Sequence, residues 1–311
     1  DADNIDLVIN IRVTDKIRAA ADVTWEHGVA SEDDRGNAAL EYGFVEYSFS
    51  DLARVRFGKM FTPFGVFNEI HTAKPAFLSV KEAPSVNKTE RIVEGGYRFF
   101  PRWGTGIALQ GDGLFQGRDF DYDLMISNGE QEETNPFEED NNDTKALTGR
   151  VRYQILENLR LGYSFYYDDA IREVMIDEET EAETTSESSL FSQELEAELW
   201  LGKLRILAEV AHGSLDPESG GSQDQLGWYI QPSYHFDNGI TPYLRYGYLD
   251  PDRDVSDNEG MELVAGVNIA VNENFIVKIE NDYFHGEDET NLAEFPGNDY
   301  NEIKAAVVLG F

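Results

Sequence analysis

The sequence has no cysteine, few cations and no long apolar run, and each shortage excludes a class of protein. Without cysteine the chain can form no disulfide and no cysteine-linked haem or metal site. No run of about 18 apolar residues occurs, which excludes a transmembrane helix. The 25 Lys and Arg face 60 Asp and Glu, a formal net charge of −35. General nucleic-acid binding needs a basic surface and is therefore not expected.

The remaining composition is that of a folded chain. Its 311 residues are 41% hydrophobic and 12% aromatic, too much for an acidic disordered protein. All-β domains often reach this length as one unit, so residues 1–311 are predicted to form a single domain.

Apolar side chains alternate with polar or small ones along many short segments. In 159–168 every second residue is Leu, Tyr or Phe, and 5–13 and 303–311 show the same period of two. Such alternation predicts strands with one apolar and one polar face. Segment 189–201 contains good helix formers but keeps the same parity, so a strand is favoured there over a helix.

Short and long connections alternate between the predicted strands. The short ones fall at 14–16, 50–51, 114–117, 156–158, 202–203, 237–239 and 272–274, and the long ones at 30–37, 60–103, 129–144, 169–187, 214–224, 250–258 and 286–298. Short periplasmic turns and long external loops are typical of outer-membrane barrels. Strands of about ten residues also suit a tilted span of the bilayer. The prediction is an all-β, transmembrane antiparallel β-barrel in the bacterial outer membrane; a secreted soluble β-protein is the alternative.

The strand count predicts a barrel of about sixteen strands. Fifteen are found, at 5–13, 17–29, 38–49, 52–60, 104–113, 118–128, 145–155, 159–168, 189–201, 204–213, 225–236, 240–249, 259–271, 275–285 and 299–311. A barrel must close in lipid, because an open edge would leave backbone groups unpaired. We therefore expect either one further N-terminal strand missing from this sequence or a sixteenth strand from 90–100.

Three stretches resemble a known family. Segments 53–66 (ARVRFGKMFTPFGV), 104–129 and 142–167 are similar, in this order, to the phosphate-selective porin O and P family. The resemblance covers roughly residues 5–170 and implies a trimeric, sixteen-stranded channel with inward-folded loops and a strand before 5–13. The dense lysine lining of its phosphate-specific members has no counterpart here. Phe311 resembles the terminal aromatic residue that outer-membrane proteins present to the barrel assembly machinery.

Segment 59–103 stands apart from the other long connections. It carries several Phe residues that would be poorly placed in water, four glutamates and seven cations, Lys59, Lys74, Lys81, Lys88, Arg91, Arg98 and Arg102. We predict that it folds into the lumen and brings these cations to a constriction. The alternative is a solvated loop that packs against a neighbouring subunit.

Arginines also lie on the inward parity of the strands, at Arg54, Arg56, Arg150, Arg152, Arg160 and Arg245. The guanidinium fork suits oxyanions, and rings of Arg or Lys form anion pores. The same face carries many carboxylates, so a lattice of opposite charges across the lumen is an equally valid interpretation. The five histidines are scattered and no nucleophile or metal-ligand motif occurs, so no enzyme, resident metal or cofactor is predicted.

The function predicted from the sequence is an outer-membrane porin for passive diffusion of small hydrophilic solutes and ions, with a mild anion preference. Its expected partners are outer-membrane lipid, two further copies in a homotrimer, and the permeating solutes. The alternative is a structural or adhesive surface protein whose acidic loops, 129–143 and 174–188, bind Ca²⁺ or Mg²⁺.

Overall fold

The computed structural model describes residues 4–26, 38–70, 78–89, 92–93, 96–129, 144–177, 182–218, 220–286 and 299–309. These residues form fifteen strands: β1 (Asn4–Arg12), β2 (Ile17–Glu26), β3 (Ala38–Ser50), β4 (Ala53–Phe61), β5 (Trp103–Phe115), β6 (Arg118–Ser127), β7 (Ala146–Leu156), β8 (Leu159–Asp177), β9 (Ala182–Leu201), β10 (Leu204–Pro217), β11 (Gln223–Tyr234), β12 (Ile240–Asp250), β13 (Gly260–Asn272), β14 (Phe275–Gly286) and β15 (Asp299–Leu309). A 3₁₀ turn (Asn68–Ile70) and a short helix α1 (Pro84–Asn87) lie between β4 and β5.

All fifteen strands belong to one antiparallel sheet in which each strand pairs with its neighbours in sequence. The predicted strand order and number are confirmed within the described ranges. Strands β1 and β15 are the two edges, and no ladder joins them among the residues described. The described part of 90–100 contains no strand, so the second expectation for a sixteenth strand is wrong there. No helix in the ranges given above is long and apolar enough to cross a membrane.

The two faces of the sheet have opposite character. Every strand exposes at least one large apolar side chain on its outer face: Leu7, Trp25, Val45, Phe57, Ile107, Leu124, Val151, Tyr163, Leu195, Val210, Ile230, Leu244, Leu263, Ile279 and Val307. The inner face holds buried charged residues, among them Arg150, Arg245, Lys278, Glu209 and Glu280. An apolar outside around a polar inside is the arrangement of a membrane barrel.

The β8–β9 hairpin differs from the sequence prediction. Segment 189–201 is a strand, as predicted, because its parity places alternate residues on the two faces. Segment 169–187, however, is not a loop throughout: β8 continues to Asp177, β9 starts at Ala182, and the ladder runs out to the pair Asp177 and Ala182. The prediction relied on the polarity of this segment, but the ladder is formed by backbone groups and does not require apolar side chains.

The largest apolar core lies inside the sheet and is built around residues 62–102, which connect β4 to β5. We call this connection the inward loop. Its Phe64, Phe67, Phe99 and Phe100 are buried, as are Val86 and Ile92. They pack against inward-facing apolar residues of the wall, namely Ala146, Tyr166, Leu190, Leu207, Ala211, Tyr229 and Leu249.

Candidate functional site

The inward loop is held against the polar face of the sheet by hydrogen bonds to widely separated strands. The Gly65 amide donates to Ser164 Oγ on β8 (3.2 Å), and the Val66 amide donates to Glu209 Oε1 on β10 (2.5 Å). At the far side the Val80 amide donates to Glu280 Oε2 on β14 (2.8 Å). The loop backbone therefore crosses from β8 to β14 on the inner side of the sheet.

Buried cations and amides of the wall secure the middle of the loop. Lys278 Nζ donates to the Ser79 carbonyl at 2.9 Å. Gln225 bonds both backbone groups of Tyr97, at 2.9 and 2.7 Å. Arg245 forms two 2.9 Å bonds to Glu262 and also reaches the Lys81 carbonyl at 3.5 Å. These contacts satisfy backbone groups that an irregular segment would otherwise leave unpaired in a dry interior.

Arg150 is the most connected cation of the inner face. Its guanidinium donates to the Gly65 carbonyl (3.0 Å), to Asp123 Oδ2 (2.8 Å) and to Glu69 of the loop. Burial by itself would raise the pKa of Glu69, but the facing guanidinium of Arg150 outweighs it and holds that pKa below the ordinary glutamate value. Glu69 therefore stays ionised and ties the loop to β7.

A cavity of about 190 Å³ lies between the start of the inward loop and the inner face of strands β1 to β6. Its lining includes Arg18, Tyr42, Phe44, Arg56 and Gln110 of the wall and Glu69 of the loop. The two arginines share the carboxylate of Glu46, at 3.2 Å from Arg18 and 2.7 Å from Arg56. Both guanidiniums also stand over the Phe44 ring, 5.4 and 4.4 Å from its centroid. Two guanidiniums of the wall thus line the same small space as the Glu69 carboxylate of the loop.

The other predicted wall arginines form ion pairs within the sheet. Arg54 pairs with Asp112, Arg152 with Asp121 at 2.7 Å, and Arg160 with Glu198 at 3.9 Å. Arg160 also lies 6.0 Å from the Trp200 ring. These contacts agree with the lattice of opposite charges that the sequence left open as an alternative.

The predicted loop cations are spread over several environments. Lys59 donates to the Leu40 carbonyl at 2.8 Å and lies over the Trp103 ring. Arg102 and Lys88 both pair with Glu82, at 2.7 and 3.4 Å. Lys81 and Arg98 are half-buried, and Lys74 and Arg91 lie outside the described residues. None of the five described residues, Lys59, Lys81, Lys88, Arg98 and Arg102, contributes to the cavity lining.

Two charged residues of the lining, Arg18 and Glu69, were not singled out by the sequence analysis as site residues. Arg18 shares the inward parity of Ala20 and Thr24 on β2, so parity could have identified it. Glu69 was counted only as one of four loop glutamates, because no local pattern shows which of them faces Arg150.

Comparisons with known proteins agree with this architecture. No family model matches the chain. An "Uncharacterized protein" of Aquifex aeolicus (strain VF5) is 25% identical in an alignment of 181 residues, which covers 53% of this chain but only 38% of that protein. Among solved structures, OmpT, an outer-membrane protein of Vibrio cholerae, has a TM-score of 0.67 at 13% identity, covering 98% of this chain and 88% of that one. The anion-selective porin from Comamonas acidovorans has a TM-score of 0.67 at 11% identity, covering 99% and 89%. OmpF of Salmonella typhi has a TM-score of 0.63 at 11% identity, covering 98% and 89%.

The order of the strands, the apolar outer and polar inner faces of the sheet, and the similarity to these solved structures together define the fold class of the protein. The chain has the fold of an outer-membrane β-barrel of the porin type.

Proposed function

We propose that this chain is a bacterial outer-membrane porin for the passive diffusion of small hydrophilic solutes and ions. The observation that carries the proposal is the cavity between the cationic wall and the inward loop, inside a sheet whose outer face is apolar. The apolar band is suited to lipid, and the charged inner face to water. The inward loop fills one side of the lumen and leaves the passage beside Arg18 and Arg56.

The finer part of the proposal is a mild anion preference. Its support is the pair of guanidiniums that line the cavity, since arginines at a constriction favour anions. Glu46 neutralises one of the two charges, and Glu69 of the loop is already paired with Arg150, so about one positive charge remains and the preference is expected to be weak. The wall arginines Arg54, Arg150, Arg152 and Arg160 then act as parts of the charge lattice, and the loop cations position the loop.

Planar-bilayer recording of the purified protein tests both parts. We expect discrete conductance steps, and a reversal potential in a KCl gradient with the sign of chloride preference. Purified, folded protein that gives no steps would refute the channel, whereas a potassium-selective reversal potential would refute only the anion preference.

The oligomeric state and the family are also proposals. We propose a homotrimer embedded in outer-membrane lipid, related to the phosphate-selective porin O and P family through the stretches within residues 5–170. Cross-linking in intact outer membranes should give a ladder that ends at three copies. Recognition by the barrel assembly machinery through Phe311, which lies outside the described residues, is tested by deleting that residue and measuring how much protein reaches the membrane.

A further inference from the structure

Three carboxylates meet beneath the inward loop, away from the cavity. Glu194 and Glu196 point inward from β9, and Glu209 points inward from β10, directly opposite Glu196 in the register. All three are buried, and one oxygen from each lies within 4.8 Å of the others. Like charges directly opposite each other destabilise a sheet, so this arrangement needs a compensating partner.

The inward loop covers this cluster. A Cβ atom built on Gly65 would lie 2.7 Å from Glu194 Oε1 and 2.8 Å from Glu209 Oε1, so both carboxylates converge on the same stretch of loop backbone. Glu209 accepts hydrogen bonds from the Val66 amide and from the Tyr229 hydroxyl.

Glu194 lacks such donors. It is 2% exposed, and neither of its carboxylate oxygens accepts a hydrogen bond from any residue in the described ranges. Its polar neighbour within hydrogen-bonding range is Glu209, itself a carboxylate. Two carboxylates can share such a contact only through a proton or a cation.

The surrounding cations do not balance the cluster. Arg150 is bonded to Glu69 and Asp123, and Arg152 is bonded to Asp121 and stands 4.0 Å from Glu196. Within the described residues of this region, three guanidiniums, those of Arg56, Arg150 and Arg152, therefore face six carboxylates, those of Glu69, Asp121, Asp123, Glu194, Glu196 and Glu209. Hard divalent cations bind such sets of carboxylate oxygens.

We propose that Glu194, Glu196 and Glu209 bind one calcium ion that fastens the inward loop to β9 and β10. The oxygen separations, all within 4.8 Å, allow one ion to contact all three carboxylates. Ca²⁺ is favoured over Mg²⁺ because it accepts six to eight oxygens in flexible geometry, whereas Mg²⁺ demands near-ideal octahedral geometry and usually keeps several waters, for which a buried site has little room. Ser164, whose Oγ accepts from the Gly65 amide, is directly opposite Glu194 in the β8–β9 register, which places it next to the proposed site.

Equilibrium binding of ⁴⁵Ca²⁺ to detergent-solubilised, EDTA-stripped protein tests this site. The titration is run in about 0.1 M KCl, which screens weak binding to exposed carboxylates. We expect wild-type protein to bind one more Ca²⁺ per chain than Glu194→Gln or Glu196→Gln. The control is Glu198→Gln, which changes the charge equally on the same strand and face but affects a carboxylate already paired with Arg205; its Ca²⁺ stoichiometry should equal that of wild type.

Thermal unfolding provides a readout that does not depend on counting ions. Ca²⁺ should raise the Tm of wild type and of Glu198→Gln, but not that of Glu194→Gln, whose folded state is verified by heat-modifiable migration on gels. Equal Ca²⁺ binding by wild type and Glu194→Gln would overturn the proposal. So would a Ca²⁺-independent rise in Tm caused by Glu194→Gln, which would indicate a shared proton that the amide replaces. Competition by Mg²⁺ at equal concentration would overturn the assignment to calcium. No arm measures conductance, so failure of this site leaves the porin proposal standing.

Discussion

Removing the Arg56 charge should shift ion selectivity towards cations by a calculable amount. Arg56 lines the cavity and shares Glu46 with Arg18, so the variant Arg56→Gln leaves the local charge one unit more negative. A unit charge about 5 Å from a passing ion contributes about 0.8 kcal/mol in water. Screening at about 0.1 M salt reduces this to about 0.5 kcal/mol.

The loss acts on anions and cations with opposite sign. The chloride-to-potassium permeability ratio should therefore fall by about 1 kcal/mol in relative barrier, or about fivefold. The reversal potential of single channels in a KCl gradient measures this ratio directly.

Two further variants make the experiment decisive. Glu46→Gln removes the opposite charge at the same place and should raise the ratio by a similar factor. Lys203→Gln removes a cation at the tight turn between β9 and β10, where Lys203 pairs with Asp237 at 2.5 Å, and should leave the ratio unchanged. If all three variants behave alike, the cavity beside Arg56 is not on the ion path, and the reasoning from its lining is refuted.

Three other experiments probe how the loop is held. Gly65 has a φ of +61°, so Gly65→Ala strains the backbone and brings a Cβ atom against the Glu194 and Glu209 carboxylates. Gly202→Ala is the control, because it imposes the same strain at a φ of +63° but its Cβ meets no other atom. Each variant should lower the free energy of unfolding by about 1–3 kcal/mol, but only Gly65→Ala should displace the loop and raise channel conductance. Arg245→Leu leaves Glu262 buried without its bidentate partner and should lower the free energy of unfolding by about 3–5 kcal/mol, and Arg245→Leu with Glu262→Leu should recover much of this in urea titrations. The pKa of Glu69 is lower in the folded than in the unfolded chain. The stabilisation by its pair with Arg150 is therefore complete above the unfolded-state pKa and is lost as the pH falls through the folded-state pKa. In curves of Tm against pH, Glu69→Gln should lack this loss of stability in acid.

The strands were predictable from the sequence because each one has lipid on one face and water on the other. These two environments require apolar and polar or small residues to alternate, and the alternation is visible in consecutive residues such as Leu161, Gly162, Tyr163 and Ser164. The end of the β8–β9 hairpin was not predictable by this rule. Beyond the bilayer neither face needs to be apolar, so the ladder continues without the alternation that revealed the rest.

The contacts of the inward loop could not be predicted from the sequence. Its aromatic content indicated a dry environment, but its contacts depend on residues far away in sequence. The Val80 amide meets Glu280, and the Tyr97 backbone meets Gln225. A backbone amide has no sequence signature, and an irregular segment has no period, so the partners of such a loop follow only from its three-dimensional path.

The position of the loop also decides which charges matter for permeation. The chain carries a formal charge of −35, and a uniform potential of that sign would repel anions. However, at physiological salt the Debye length is about 8 Å, so distant carboxylates on exposed segments act weakly on an ion inside the lumen. The loop presses one group of inward carboxylates, including Glu194 and Glu209, against its own backbone, and it leaves Arg18 and Arg56 beside the cavity. The proposed anion preference therefore rests on the few charges that the loop leaves uncovered, and the acidic character of the whole chain does not contradict it.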